Sequence, residues 1–314
     1  MTSLPNPMNL DSRQAVRERL LELAGLLAPD EGYNPTELPG LRILRTETML
    51  HDVPALYKPG AVFVLQGRKQ AVLEGDVYLY DEEHYLAVSV PVPFRMESVA
   101  SADRPLLAIY VEFDMQLAAE IASEIEKRSS GMSAAPAKSL VSSKMEPDIL
   151  DSLLRLLKAL NNSVETAVLG KGILRELHYR VLVGPQGAAM ISALRQRGAS
   201  GKIVRSLVRL RETFRSDVSV AMLASEAGMS VPSYHAHFKA LIGSSPMQYV
   251  KAMRLHEARL MIARQDMAIG EVALSVGYVS PAQFSRDFKR HFSRTASEEA
   301  RWVRRHLGAL TLGG

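Results

Sequence analysis

The chain has 314 residues, 47% hydrophobic and 23% charged, with a net charge of +4 and no cysteine, which fits a globular protein of two domains. The missing cysteine excludes disulfides, zinc fingers, iron–sulfur clusters and thiol nucleophiles. No apolar run reaches membrane-spanning length, and the opening MTSLPNPMNL has neither a basic start nor an apolar core, so neither a membrane span nor a signal peptide is expected and a cytoplasmic location follows. The charge is unevenly placed: residues 201–314 hold 17 Lys and Arg against 9 Asp and Glu, and the first 200 hold 21 against 25. The C-terminal end is the basic one, as a phosphate-binding module requires.

Met1 to Leu10 reads as an irregular arm, and Ser12 to Leu27 as an amphipathic helix with apolar Val16, Leu20, Leu21, Leu23, Leu26 and Leu27. From Leu41 to Phe113 the pattern turns to short segments rich in Val, Leu and Tyr between Pro-Gly, Gly-Arg, Glu-Gly-Asp and Asp-Glu-Glu turns. About seven such strands predict an antiparallel barrel or sandwich able to enclose one small effector. Its polar candidates are Tyr57, Gln66, Lys69, Tyr78, Tyr80, His84, Tyr85 and Arg95. Strand alternation sends half of them outward without saying which half.

Asp114 to Lys127 returns to helix, and Ser129 to Ser143 is a low-complexity linker. Pro147 to Leu160 is apolar on more than one face, so it packs on two sides within its own subunit or forms a dimer interface. Gly170 to Gly184 and Ala188 to Arg197 make a helical connector around a GPQG turn, and Lys202 to Phe214 supports the basic domain.

Between Val220 and Phe292 one pattern is written twice, first as AMLASEAGMSVPSYHAHFKALIG and then as IGEVALSVGYVSPAQFSRDFKRHFS. Ala224 to Ala273 and Gly228 to Gly277 are 49 residues apart, whereas Tyr234 to Phe284 and Phe238 to Phe288 are 50 apart. The extra residue lies between the Gly and the second helix and so marks the turn. Helix, Gly turn and longer helix is the outline of a helix-turn-helix, and the Gly supplies the left-handed residue that so tight a turn needs. Pro246 to Arg264 bridges the copies; as a helix it spans about 28 Å, close to the roughly 34 Å between successive major grooves on one face of DNA. Glu298 to Leu307 closes the domain, with Trp302 as a packing residue.

In the first copy Ser230 caps the second helix and Tyr234, Phe238 and Leu241 face inward, leaving Pro232, Ser233, His235, Ala236 and Lys239 outside. In the second copy Ser280 caps, Pro281 takes the first helical position and Gln283 completes an S-x-x-Q capping box. Phe284, Phe288 and Phe292 face inward; Ala282, Ser285, Arg286, Lys289 and Arg290 face out. Arg286 is the best base reader, because its fork of donors matches guanine O6 and N7. Lys239, Lys289, Arg290 and Arg294 suit phosphate.

At these residues the chain resembles the AraC/XylS family of bacterial transcription regulators, through LASEAGMS, HFKALIGSSPMQYVKAMRLHEARLMI and IGEVALSVGYVSPAQFSRDFKRHF. The resemblance implies two helix-turn-helix units that bind double-stranded DNA as an activator or repressor. It assigns the base-contacting face to Pro232, His235 and Ala236, and to Pro281, Ala282, Gln283, Ser285 and Arg286. The family usually has Arg where Ala236 stands, and Gly and Pro where Ser293 and Ala296 stand. The stretch LYKPGAVFVLQGRKQAVLEGDVYLYDEEHYLAVSVPVPFRMES, with RPLLAIYVEFD, is similar to one AraC subfamily with a cupin-like regulatory domain.

The expected fold is therefore α+β and multidomain. An arm and helix occupy residues 1–30, a cupin-like antiparallel barrel or sandwich with flanking helices 31–128, a linker and connector 129–198, and an all-α domain with two helix-turn-helix motifs 199–314. The expected function is sequence-specific transcription regulation under a small effector, with RNA polymerase as a partner of an activator, a possible homodimer, and no cofactor, metal or membrane. A barrel that only dimerises is the alternative. A cupin metalloenzyme is a distant one, because the strands contain no His-x-His pair.

Overall fold

The computed structural model describes residues 10–128, 138–184, 187, 190–191, 198–264 and 267–306. The expected arm, most of the expected linker, and the connector over 188–197 apart from residues 190 and 191 lie outside them.

Helix α1 (Leu10–Leu27) precedes strands β1 (Gly32–Pro35), β2 (Leu41–Thr46), β3 (Leu50–Tyr57), β4 (Gly60–Gln66), β5 (Arg68–Leu73), β6 (Asp76–Asp81), β7 (His84–Val88), β8 (Val92–Val99) and β9 (Leu106–Glu112). Helix α2 (Met115–Arg128), strand β10 (Leu140–Lys144), and helices α3 (Pro147–Leu160) and α4 (Ser163–Val183) follow. The strands form a sandwich of two antiparallel sheets, one in the order β1-β2-β9-β4-β7-β10 and the other β3-β8-β5-β6. Alternation along β7 shows the division of labour: Tyr85 and Ala87 face one apolar core under the helices, and Leu86 and Val88 face a second core between the sheets.

Four of these strands escape the sequence pattern. Strand β10 pairs with β7, Leu140 opposite Val88, so residues 140–144 are a sheet edge and not part of a linker. Strand β3 is masked by Pro54, whose missing N–H is tolerated because β3 pairs only with β8 and is an edge strand. Strand β1 is only four residues long, and β8 continues from Pro91 and Pro93. Helix α3 settles its two-sided apolar pattern inside the chain: Ile149, Leu150, Leu153, Leu156 and Leu157 are all buried, in the core that also takes Leu20 and Leu23 of α1 and Leu177 and Val181 of α4. Its solvent side carries Asp148, Asp151 and Lys158.

The C-terminal part is helical throughout: α5 (Gly198–Thr213), α6 (Val220–Glu226), α7 (Val231–Ile242), α8 (Pro246–Arg264), α9 (Ile269–Ser275), α10 (Pro281–Phe292) and α11 (Ala296–His306). The α6–α7 and α9–α10 pairs are the two written copies, and α8 is the bridge between them. Each turn has its left-handed glycine, Gly228 at φ 58° and Gly277 at φ 91°. A Cβ on Gly277 would sit 2.3 Å from the Arg215 carbonyl oxygen, so this turn is pressed against the segment leaving α5. Each recognition helix is capped by a serine, Ser230 accepting from Ser233 N and Ser280 from Gln283 N. The Gln283 side chain makes no return bond among the described residues, so only half of the expected capping box forms. At the exits Gly243 takes φ 84° and Ser293 φ 60°; serine adopts there the conformation that glycine adopts in the first copy, at a cost of roughly 1–2 kcal/mol.

Candidate nucleic-acid interface and effector cavity

The two recognition helices are built alike from the inside. Tyr234 and Phe238 of α7 are fully buried, the Tyr234 hydroxyl bonding Ser206 Oγ of α5 at 2.6 Å. Phe284, Phe288 and Phe292 of α10 form a stack with centroids 5.3 and 4.6 Å apart. A buried Phe contributes about 1.5–3 kcal/mol, enough to fix which face each helix turns to solvent. On α7 that face carries Pro232, His235, Ala236 and Lys239, with Ser233 half-buried. On α10 it carries Pro281, Ala282, Gln283, Ser285, Arg286, Lys289 and Arg290, with Arg294 half-buried just beyond.

The cations on these faces differ in how free they are. Arg286, Lys239 and Lys289 are exposed and make no hydrogen bond or ion pair among the described residues. Arg290 is ion-paired with buried Asp287, which also takes Lys251 at 3.0 Å. Arg294 is paired with Glu299 at 3.1 Å and lies 4.6 Å over the Trp302 ring. Arg286 can thus present its whole fork to a base edge, whereas Arg290 and Arg294 already have acidic partners. His237 turns its Nδ1 to the Ser233 carbonyl at 2.8 Å, which makes it a helix-surface residue.

The sandwich touches the second unit through polar contacts. Arg95 of β8 donates to the His291 carbonyl at 2.9 Å and pairs with Asp52. Arg259 of α8 donates to the Pro54 carbonyl at 3.2 Å and pairs with Glu299, 2% exposed, at 2.8 Å. Between them His256 and His291 meet Nε2 to Nε2 at 3.3 Å. Burial, with Arg95 and Arg259 beside them, holds both imidazoles neutral: His291 is pulled down to about 4 and His256 well below its usual value.

Where the sandwich faces α5 and α8 there is a cavity of about 500 Å³, within the range of small-molecule sites. Its walls come from both sides, Leu44, Leu50, Val53, Met96 and Leu106 from the strands and Phe214, Met253 and Leu260 from the helices. Of the effector candidates, Tyr57 and Lys69 line it, and Tyr80 lies fully buried beside Lys69, which is 5.8 Å from its ring. The others point elsewhere. Tyr85 is in the core under the helices, Arg95 is on the outer face of β8, and Gln66 bonds the Pro105 carbonyl. His84 sits on Asp81, and Tyr78 packs near the β5–β6 turn. Tyr33, Arg42 and Tyr110 line the cavity too. Tyr33 lies ahead of the expected strand run, the pattern of their strands does not single out Arg42 or Tyr110, and the C-terminal wall is invisible without the docking of the two parts. Among the described residues no three His, Asp or Glu side chains come together as a metal site requires, and no helix is long and apolar enough to cross a membrane.

Residues 37–189 match the model of the AraC-type transcriptional regulator N-terminus, and residues 223–301 that of a helix-turn-helix domain. The chain belongs to the AraC family of transcriptional regulators. Among curated AraC-type relatives, it is 26% identical over 161 residues to the virulence regulon transcriptional activator VirF of Yersinia enterocolitica, covering 51% of this chain and 59% of VirF. It is 24% identical over 124 residues to the HTH-type transcriptional regulator ExsA of Pseudomonas aeruginosa, covering 40% of this chain and 44% of ExsA. These matches span less than two thirds of either relative. The fold is similar to that of unsaturated-fatty-acid-bound ToxT from Vibrio cholerae, at a TM-score of 0.58, 12% identity, and coverage of 86% of this chain and 97% of ToxT. At that identity the likeness is one of fold.

Proposed function

We propose that this chain is a sequence-specific DNA-binding transcription regulator, with DNA bound by residues 199–314 and a small apolar effector held in the cavity between that part and the sandwich. One observation carries the reading: two serine-capped helices, each anchored by buried aromatics, present exposed polar faces at the two ends of a 19-residue bridging helix. Arg286 reads a base, and Lys239 and Lys289 hold phosphates. The fatty acid in the ToxT structure supports an effector in a fold of this kind. VirF's description as an activator supports activation, which makes RNA polymerase a partner and the cytoplasm the site of action. No enzymatic step is part of this reading. A homodimer would cover the exposed row Val164, Val168 and Tyr179 on α4, and sedimentation tests it.

Fluorescence anisotropy on duplexes from the promoter region of its own gene tests DNA recognition. Binding should exceed that to scrambled duplex and fall steeply with salt, and Arg286→Ala should remove about 1–3 kcal/mol of the discrimination. Equal binding to every duplex would contradict the reading.

A further inference from the structure

The cavity floor holds a lysine that the fold leaves without a counter-charge. Lys69 stands on β5, and the ladders put Tyr80 of β6 and Ser98 of β8 directly opposite it on its two sides. In antiparallel pairing opposite residues share a face, so the three form one row across the inner surface of the smaller sheet. All three are at most 2% exposed. The Lys69 ammonium donates to the Tyr57 hydroxyl at 3.2 Å and lies 5.9 and 5.8 Å from the Tyr57 and Tyr80 rings. Among the described residues no carboxylate pairs with it. Among the described residues Ser98 Oγ is buried with no hydrogen-bond partner, and the buried Tyr80 hydroxyl has none of full geometry but lies beside the Tyr57 hydroxyl.

The other cations along the cavity are accounted for. Arg42 and Lys58 share Glu112 at 3.5 and 3.1 Å, Arg215 pairs with Glu257 and Arg259 with Glu299, and Arg211 is exposed to water. Of these lining cations Lys69 is the one that is buried and has no carboxylate partner among the described residues. An ammonium taken out of water without a counter-charge destabilises the fold, and an unsatisfied buried hydroxyl adds to that cost. The Lys69 ammonium and the Ser98 hydroxyl line the cavity side by side, with the Tyr80 hydroxyl behind Lys69, and make a built site waiting for an acceptor. A carboxylate has about four lone-pair positions for such donors.

We propose that Lys69, Ser98 and Tyr80 form an anion-binding floor that seats the carboxylate of an apolar monocarboxylic acid, head inward, with its chain running out past Leu44 and Met96 to Phe214, Met253 and Leu260. The effector then bridges the sandwich and the helices that carry the DNA-binding units. Burial pulls the Lys69 pKa below the usual lysine value, and a carboxylate beside it opposes that pull. The assignment rests on reading the cavity as the effector site.

The test uses the full chain, decanoate and its methyl ester as probes, and thermal melting with calorimetric titration as readouts. Decanoate should raise the melting temperature of the wild type with concentration and bind about tenfold or more tighter than the ester. Lys69→Met should raise the melting temperature of the unliganded protein, because it removes a bare buried charge. It should also lose the preference for acid over ester while still binding the ester. Should Lys69→Met not fold, Ser98→Ala serves instead, weakening the acid and sparing the ester. If the variants bind the acid as the wild type does, the anion floor is wrong and the effector cavity stands. If neither probe binds the wild type, both are wrong.

Discussion

The two helix-turn-helix units are written alike and held differently. The first has no core of its own: Ile203, Leu207, Leu223, Tyr234, Phe238 and Tyr249 belong to the apolar cluster that fills the space between the sheets, through Val62, Leu86 and Ala108. The second has a separate core of Leu255, Val272, Phe284, Phe288 and Phe292. It meets the sandwich along the polar seam of Arg95, Arg259, His256 and His291, and Trp302 packs against the first cluster. The exposed faces differ in the same sense. The unit fused to the cavity offers Pro232, His235, Ala236 and Lys239, and the separately built unit offers Arg286 and Lys289. Duplicated sequence has thus given one unit packed into the sandwich and one with its own core and, on the reading proposed above, the base-reading side chains.

The sharpest way to disturb this contrast is at the seam. Glu299, 2% exposed, is the shared ion-pair partner of Arg259 and Arg294. Removing one partner of a buried pair costs about 3–5 kcal/mol, so Glu299→Ala should lower stability by that order in urea unfolding and loosen the second unit first. Acid acts on the same seam. His256 and His291 are neutral in the fold, with His291 down at about 4, while in the unfolded chain they protonate near 6.5. The unfolded state therefore gains protons first as pH falls, and stability should drop progressively from about pH 6.5 towards 4. Denaturation midpoints across this window should show the loss, and His291→Gln should shrink it.

The turns supply a matched pair. Gly228→Ala meets only the end of Lys202, 3.7 Å away, and pays for a left-handed residue, about 1–2 kcal/mol. Gly277→Ala adds a clash with the Arg215 backbone and should cost clearly more. Equal losses would mean that the two turns are held alike. The smallest effect belongs to the phosphate lysines: Lys239→Ala and Lys289→Ala should each reduce the salt slope of DNA binding by about 1 without changing sequence preference.

The helical half was legible because its signals are local. A glycine that must be left-handed, a serine cap and aromatics at helical spacing fixed α6 to α10, including Pro246–Arg264 to the residue. Alternation found the central strands, but missed β3 because of Pro54 and β10 because a Ser-rich stretch looks like linker. The cavity was not legible. Its walls join residues as distant as Lys69 and Met253, and no local period encodes the docking of a sandwich onto a helix bundle. The identity of Lys69 as a buried cation without a carboxylate partner rests on which neighbours surround it, which only the fold reveals.

The unequal roles of the two units are tested most directly by selecting duplexes from a random pool with the wild type, with Arg286→Ala, and with His235→Ala combined with Lys239→Ala. The wild type should enrich a motif in which one major-groove segment is strongly specified. Arg286→Ala should erase a guanine preference there, and the double variant should leave the enriched motif in place while weakening binding overall. A motif that survives Arg286→Ala and collapses in the double variant would place sequence reading in the first unit and contradict the account.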